Sequence, residues 1–339
     1  MTPRLKWTLD SDIAQRAARV VALHALAAVE ESSERVRRED PDSLHEFRVS
    51  LRRLRSWLHF FRPALDDTLR KRTRRRLGHI MRATSAVRDL DVQIAWLKAE
   101  CTALGAERLE AARWIVRGLE QDRRAEWRRF KKVFKGDFRR TAELLESELV
   151  EYVVTRDVRR HDTDPTMRRT TERALHHETR ALSAALGRIR SADDTGRLHK
   201  ARIIAKRARY VLEALSGQAA EADGAAEDLH RFQDTVGELC DAQLLAHRVT
   251  REITAVAAER TALVTSELVY YPTGPMDFGR VVAESPFDAS LSLLLARLRD
   301  RIAAASRTVT LALEDASATG LLARLESATH AISAQRRPE

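Results

Sequence analysis

The 339-residue sequence has few cysteines, few aromatic residues and no long apolar run. Its two cysteines, Cys101 and Cys240, cannot build the disulfide framework of a small secreted protein, which favours a reducing cytoplasm. No apolar run approaches the roughly 18 residues that cross a bilayer, and the N-terminus has no apolar signal segment. We therefore expect a cytoplasmic protein without a membrane partner.

Runs of alternating β-branched residues are also missing, which argues against strands. The chain has only 12 glycines and 8 prolines, and its stretches of Ala, Leu, Arg and Glu favour helix. The sequence therefore predicts an all-α fold, with a bend at Gly136 and Asp137 and an irregular loop at 269–286. Capping and breaking residues predict helices at 10–38, 43–62, 66–104, 106–135, from the bend to about 158, and at 166–191, 195–215, 225–260, 287–312 and 318–333.

Positive charge is concentrated in the first half of the chain. The net charge is +10; residues 1–160 carry 36 Lys and Arg against 25 Asp and Glu, whereas residues 161–339 carry 24 against 25. Only eight of the 60 basic residues are lysine, and the guanidinium group of arginine matches phosphate oxygens well. A GC-rich genome would also raise the arginine content, so the positions of the arginines must decide.

The two halves of the sequence repeat each other. Five basic residues of the first half align with five of the second at one offset of 154, and SAVRDLDV around Asp89 aligns with GELCDAQL around Asp241 at an offset of 152. The chain is therefore predicted to contain two tandem helical bundles, residues 1–160 and 161–339, joined at DTDP (162–165). The aligned residues are His45, Arg48, Arg52, Arg53 and Arg55, and His199, Arg202, Lys206, Arg207 and Arg209.

The basic residues form stripes along their helices. At 100° per residue, His45, Arg48, Arg52, Arg55 and His59 fill an arc of about 80° beside an apolar face, and the second repeat has the same pattern. Like charges four residues apart are destabilising, so we expect an anionic partner. The alternative is that carboxylates on other helices neutralise these faces. Further stripes contain Arg72, Arg75, His79 and Arg82, and Arg113, Arg117, Arg124, Arg128, Lys131 and Lys135.

The patterns LHxxRxxxRRxR from Leu44 and LHxxRxxxKRxRYxxE from Leu198, with RDxDV at 88–92 and GExxD at 237–241, resemble the CHAD domain, a conserved-histidine α-helical domain. The resemblance covers about residues 10–335. It implies two pseudo-symmetric four-helix bundles around a basic central pore that binds inorganic polyphosphate without turnover, and residence on polyphosphate granules. The ten aligned residues would line this pore, where phosphate or sulfate ions would also fit. The less basic second half predicts that the first half dominates binding.

No enzyme signature or metal site is predicted. HEFRV at 45–49 lacks the second histidine of a zincin, His176 and His177 point about 100° apart, and there is no phosphate loop or nucleophile elbow. Asp89 and Asp241 are predicted to hold guanidinium groups rather than to catalyse. We therefore expect no catalysis, cofactor or metal. The alternatives are a basic helical protein that binds nucleic acid or scaffolds granules, and a phosphohydrolase acting on polyphosphate.

The histidines among the arginines predict a dependence on pH. His45 and His199 each lie beside several arginines, which disfavour a charged imidazole until a phosphate arrives. The sequence therefore predicts that anion binding tightens below neutral pH.

Overall fold

The computed structural model describes residues 13–36, 40–104, 110–156, 165–215, 220–270, 286–318 and 320–334. These residues are almost entirely helical, which confirms the all-α prediction, and a single isolated bridge joins Ile13 to Thr166. The helices are α1 (Ala14–Arg35), α2 (Pro41–Phe60), α3 (Arg62–Leu65), α4 (Lys71–Leu104), α5 (Glu110–Val133), a π-helical turn (Phe134–Phe138), α6 (Arg139–Arg156), α7 (Met167–Leu186), α8 (Thr195–Ala214), α9 (Ala220–Tyr270), α10 (Pro286–Ala318) and α11 (Leu321–Ala334).

The boundaries of α2 follow from local chemistry. The Asp40 side chain accepts hydrogen bonds from the backbone N–H groups of Asp42 and Ser43, and Pro41 occupies the first turn, where no backbone donor is needed. The helix ends at Phe60 rather than at residue 62. Pro63 lies in the first turn of α3, so it starts this short helix instead of only ending the previous one.

The predicted bend at Gly136 and Asp137 is replaced by the π-helical turn Phe134–Phe138. The rings of Phe134 and Phe138 stack with their centroids 5.1 Å apart. Both rings also meet Phe47 of α2 edge-on, at 5.4 Å. Both rings therefore pack against α2 from within the π-helical turn. Most of the predicted loop at 269–286 lies outside the described residues.

The chain forms two compact units. The first comprises Met1–Arg88, Glu126–Gly237 and Arg307–Glu339, and the second comprises Asp89–Ala125 and Glu238–Ser306. Each unit takes residues from both halves of the sequence. The units therefore do not follow the boundary near residue 160; that boundary describes the sequence repeat and stays a prediction.

Helices at equivalent positions of the repeat contact each other in the first unit. Here α1 packs on α2 and α7 on α8, while α1 also contacts α7 and α2 contacts α8. Arg53 of α2 pairs with Glu213 of α8 at 3.2 Å. Arg207, the equivalent of Arg53, contacts His59, the equivalent of Glu213, at 3.3 Å. The contact between α2 and α8 is therefore reciprocal, as in an isologous interface.

The second unit has its own apolar core. Parts of α4, α5, α9 and α10 contribute Leu90, Ile94, Leu97, Ala112, Ile115, Val116, Leu119, Leu245, Val249, Leu294 and Leu298. The buried Asp91 pairs with Arg123 of α5 at 2.5 Å. The guanidinium-holding role predicted for Asp241 is therefore not observed: among the described residues no basic group forms an ion pair with it, and Asp91 takes this role instead.

Candidate anion-binding site

The first arginine of the basic repeat is structural in both halves. Arg48 is only 6% exposed. Its Nη1 donates to Thr84 Oγ1 at 2.6 Å and to Ser85 Oγ at 3.1 Å, so Arg48 links α2 to α4. In the second repeat, Arg202 Nε of α8 donates to the Gln233 carbonyl of α9 at 3.2 Å. Both arginines therefore form hydrogen bonds that link two helices, α2 to α4 and α8 to α9.

A cationic cavity opens between the C-terminal half of α2, α3 and the first turns of α4. Its volume is about 630 Å3. Most of its lining side chains are basic, and Gly78 lies among them. We call this cavity the cationic cleft; its lining comprises Arg55, Leu58, His59, Arg62, Lys71, Arg74, Arg75, Leu77, Gly78 and Arg82.

The cationic cleft has few counter-charges. Asp66 pairs with Arg62 at 2.8 Å and with Arg74 at 2.5 Å. Although burial acts in the opposite direction, hydrogen bonds from these two arginines lower the pKa of Asp66. Within the part of the chain that the structure describes, no carboxylate forms an ion pair with the other lining cations, Arg55, Lys71, Arg75 and Arg82. The cleft therefore carries uncompensated positive charge.

Repulsion among these cations is clearest at Arg55. Burial, followed by the positive charges of Arg82 and Arg52, lowers the pKa of Arg55. The guanidinium nevertheless stays charged, so an anion in the cleft would relieve an existing electrostatic penalty. Gly78 preserves the space for such an anion. A methyl group on Gly78 would lie 3.5 Å from Arg82 Nη1 and 3.6 Å from Arg55 Nη2, so a longer side chain would fill the gap between the two guanidinium groups.

His59 is the titratable group of the cleft. Burial lowers its pKa, and so do the positive charges of Arg207 on α8, Arg62 on α3, Arg55 on α2 and Arg74 on α4. As the pH falls, the imidazole of His59 is therefore protonated in the unfolded chain before it is protonated in the folded protein. His59 thus lowers the free energy of unfolding as the pH falls below the ordinary histidine pKa of 6.5. An anion bound in the cleft acts in the opposite direction, because it favours the charged imidazole.

We expect the affinity of the cationic cleft for a polyanion to rise several-fold between pH 8 and pH 6, because anion binding is coupled to proton uptake by His59. Isothermal titration at the two pH values measures this change. His59→Gln should remove most of the pH dependence, whereas His45→Gln, which changes a histidine outside the cleft, should retain it. Equal pH dependence of the wild type and His59→Gln would contradict the assignment.

The structure brings four residues of the predicted stripes into the cationic cleft: Arg55, His59, Arg75 and Arg82. Arg52 is half-buried on α2, and its charge acts on Arg55. His45 is exposed and does not line the cleft; burial, followed by Arg88, Arg52 and Arg48, lowers its pKa. Arg72 and His79 are exposed on α4 and do not line the cleft either.

Carboxylates neutralise two of the predicted basic residues of the second repeat. Arg207 pairs with Glu178 of α7 at 2.9 Å, and Arg209 pairs with Glu213 at 3.1 Å. His199 is exposed and Lys206 is half-buried. None of the five aligned residues of α8 lines the cationic cleft.

The stripe predicted on α5 is divided between the two compact units. Arg113, Arg117 and Arg124 belong to the second compact unit, and Arg128, Lys131 and Lys135 to the first. Lys131 and Lys135 line a separate cavity of about 750 Å3 together with Glu30, Glu34 and three phenylalanines. Carboxylates from α1 therefore face this part of the stripe.

Sequence reasoning missed four members of the cleft: Arg62, Lys71 and Arg74, and the space made by Gly78. The run KRTRRR at 71–76 was the available signal for two of them. Their contribution depends on the chain turning through α3, which brings the start of α4 beside the end of α2. Arg62 enters the lining because α2 stops at Phe60 and α3 begins a new turn.

A cavity at the equivalent place of the second repeat has a reversed charge. It has a volume of about 630 Å3 and is lined by α8 and α9 together with residues of α1 and α2. At offsets of 154 and 152, Glu213 replaces His59, Asp223 replaces Lys71 and Glu227 replaces Arg75. His230 replaces Gly78 and pairs at 2.7 Å with Asp234, which replaces Arg82. We call this the acidic cavity.

Two features are absent from the described residues. None of their helices combines the length and the apolar character needed to cross a membrane. Their His, Cys, Asp and Glu side chains form no group of three or more that could hold a metal ion.

Comparisons with known proteins agree with this architecture. The family model described as "CHAD domain" matches residues 21–250. The fold is similar to that of a CHAD domain from the plant Ricinus communis, with a TM-score of 0.64 and 20% sequence identity over 91% of this chain and 94% of that one. It is also similar to PptA from Streptomyces chartreusis, with a TM-score of 0.56 and 15% identity over 89% of this chain and 100% of that one. No curated protein matches the chain.

Proposed function

Because the chain belongs to the CHAD domain family, we propose that it binds inorganic polyphosphate, and that the polymer lies in the cationic cleft of the first repeat. One observation carries this proposal: four cations that line the cleft have no ion-pair partner among the described residues. They are Arg55, Lys71, Arg75 and Arg82. The guanidinium groups of Arg55 and Arg82 both lie next to Gly78. Such a set is unfavourable without a bound anion.

The chemistry of the lining favours a polymer without bases. Besides His59, the ten residues of the cleft include no aromatic ring. Proteins that bind single-stranded nucleic acid usually stack successive bases on aromatic side chains. Polyphosphate needs only a succession of charged donors, which guanidinium and ammonium groups supply. The cleft therefore suits polyphosphate better than the nucleic-acid alternative.

The cleft also supports binding without catalysis. The carboxylate beside it, Asp66, accepts hydrogen bonds from Arg62 and Arg74, which keep it ionised and unsuited to deliver a proton. We therefore propose a non-enzymatic polyphosphate-binding protein that uses no cofactor. Residence on polyphosphate granules in the cytoplasm is part of the same proposal.

The predicted pore, lined by residues of both repeats with the first half dominating binding, is narrowed in this proposal. The reciprocal contact between α2 and α8 supports two pseudo-symmetric repeats. Carboxylates, however, neutralise Arg207 and Arg209, and the equivalent cavity of the second repeat is acidic. We therefore assign binding to the first repeat alone.

Thermal unfolding in parallel with long-chain polyphosphate, duplex DNA and orthophosphate tests the proposal. A ligand present at 100 times its dissociation constant stabilises the folded protein by about 2.7 kcal/mol. We expect polyphosphate to raise the melting temperature by several degrees, and orthophosphate at equal phosphate concentration to do so far less. Stabilisation by duplex DNA but not by polyphosphate would replace the proposal with the nucleic-acid alternative.

A further inference from the structure

A second cavity lies next to the cationic cleft. It has a volume of about 540 Å3 and shares His59 and Arg62 with the cleft. Residues of α1, α2, α3 and α7 form the rest of its wall. We call it the side cavity; its lining comprises Gln15, His59, Phe60, Arg62, Pro63, Ala64, Pro165, Thr170, Arg173, Ala174, His177 and Glu178.

The side cavity differs from the cleft in chemistry. Phe60, Pro63, Ala64, Pro165 and Ala174 give it apolar walls. A largely apolar cavity of a few hundred Å3 with a few polar groups is the usual form of a small-molecule site.

The polar groups of the side cavity include an unused acceptor. Glu178 is only 4% exposed. Its Oε2 accepts a hydrogen bond from Arg207 Nη2 at 2.9 Å, and among the described residues nothing donates to the other oxygen. Thr170 Oγ1 is buried without a hydrogen-bond partner in the same part of the chain. Buried polar atoms are normally satisfied, so a ligand that hydrogen-bonds with Thr170 Oγ1 and donates an N–H or O–H group to the second oxygen of Glu178 would complete this site.

The sequence repeat shows that the cleft and the side cavity belong together. At an offset of 153, Ala174, His177 and Glu178 of the side cavity correspond to Val21, His24 and Ala25. These three residues line the acidic cavity, and so do Asp223 and Glu227, which replace Lys71 and Arg75 of the cleft. One cavity of the second repeat thus combines the equivalents of both. The cleft and the side cavity are two parts of one repeated site, divided by His59 and Arg62.

We propose that the side cavity binds the nucleoside of a nucleotide whose phosphates extend past His59 and Arg62 into the cationic cleft. This inference rests on the proposed function of the cleft as a phosphate site. The apolar walls receive the flat base, and a base or ribose donor satisfies Glu178. An acyl chain would fill the same walls but would leave that oxygen unpaired, so a phosphorylated nucleoside fits better than a phospholipid.

ATP and inorganic tripolyphosphate separate this site from the cleft alone. The titrations are done at pH 8 with EDTA, so that no divalent cation bridges the ligand. Fully ionised ATP carries one negative charge fewer than fully ionised tripolyphosphate, so electrostatics alone would not make ATP the tighter ligand. We expect ATP to bind about tenfold more tightly, because burial of the nucleoside adds apolar and hydrogen-bonding contacts.

Ala174→Trp, which fills the side cavity, should remove the advantage of ATP and leave tripolyphosphate binding unchanged. Ala184→Trp is the matched control, since Ala184 is an exposed alanine of the same helix outside the cavity. Saturation-transfer NMR on the wild-type protein tests the site without a variant, because the adenine protons should receive magnetisation from the protein. As a separate check, the double variant Arg55→Ala, Arg82→Ala should abolish this transfer.

The outcomes are distinct. Tighter binding of ATP that is lost in Ala174→Trp but kept in Ala184→Trp supports the inference. Binding of ATP no tighter than that of tripolyphosphate, with no transfer to the adenine protons, overturns the inference and leaves the polyphosphate proposal intact. Binding of neither ligand, nor of long-chain polyphosphate, overturns both.

Discussion

Replacement of Arg55, Arg75 and Arg82 by alanine should weaken polyphosphate binding by about a thousandfold, since each charge-assisted hydrogen bond contributes about 1.5–3 kcal/mol and part of the loss is shared. The dependence on salt should change as well. Each phosphate contact on a single strand contributes about 0.7 to the slope of log K against log salt, so the slope should become shallower by about two. Isothermal titration at three salt concentrations measures both quantities.

A matched triple variant controls for the loss of net charge. Arg140, Arg169 and Arg180 are exposed arginines that do not line the cleft, so their replacement by alanine should reduce affinity only slightly. The cleft variant should unfold at the same or a higher temperature than the wild type, because it loses mutual repulsion. Equal losses of affinity in both variants would mean that the protein binds polyanions through overall charge rather than through the cleft.

Arg48→Ala should lower the free energy of unfolding by about 3 kcal/mol, because it removes a buried cation and leaves both a cavity and unpaired hydroxyl acceptors. The affected acceptors are Thr84 and Ser85 on α4. Urea unfolding followed by circular dichroism measures this loss. The expected effect distinguishes Arg48 from Arg55, although both belong to the same basic repeat and the same side of α2.

Arg52→Ala is the control for Arg48→Ala. Arg52 lies one turn further along α2, is half-buried and forms no ion pair among the described residues, so its removal should change stability by less than about 0.5 kcal/mol. Arg48→Met keeps most of the volume and should recover part of the stability, since replacing a buried ion by an apolar group of similar size is often tolerated. Equal stability of Arg48→Ala and Arg52→Ala would show that the contacts to α4 contribute nothing.

Much of the fold could be predicted from local chemistry. The predicted start of α2 at residue 43 was two residues late, because Asp40 rather than Asp42 or Ser43 caps the helix. The offset of 154 relates α2 to its counterpart α8 correctly, since both helices comprise 20 residues and begin at equivalent positions. The π-helical turn could not be predicted in this way. It lies where Phe134 and Phe138 pack against Phe47, a residue distant in sequence.

The candidate site was only partly predictable, because the sequence pattern gives the angle of a residue around the helix axis. It does not show which neighbouring helix the residue meets at its position along that axis. Arg48, Arg52 and Arg55 share one arc of α2. Arg48 is buried because its side chain reaches Thr84 on α4. Arg55 lies further along, where Gly78 leaves space. The partners of the second-repeat arginines come from other helices, so the neutralisation of Arg207 by Glu178 of α7 requires the tertiary structure.

The reversed charge of the acidic cavity limits the valency of the molecule. A protein with two cationic clefts could bind two strands, or two distant segments of one strand. Long polyphosphate would then be cross-linked into a network. Asp223 and Glu227 line the acidic cavity where the first repeat has Lys71 and Arg75, so under the proposed function only the first repeat binds the polymer. One copy of the protein would then bind one strand without joining it to another.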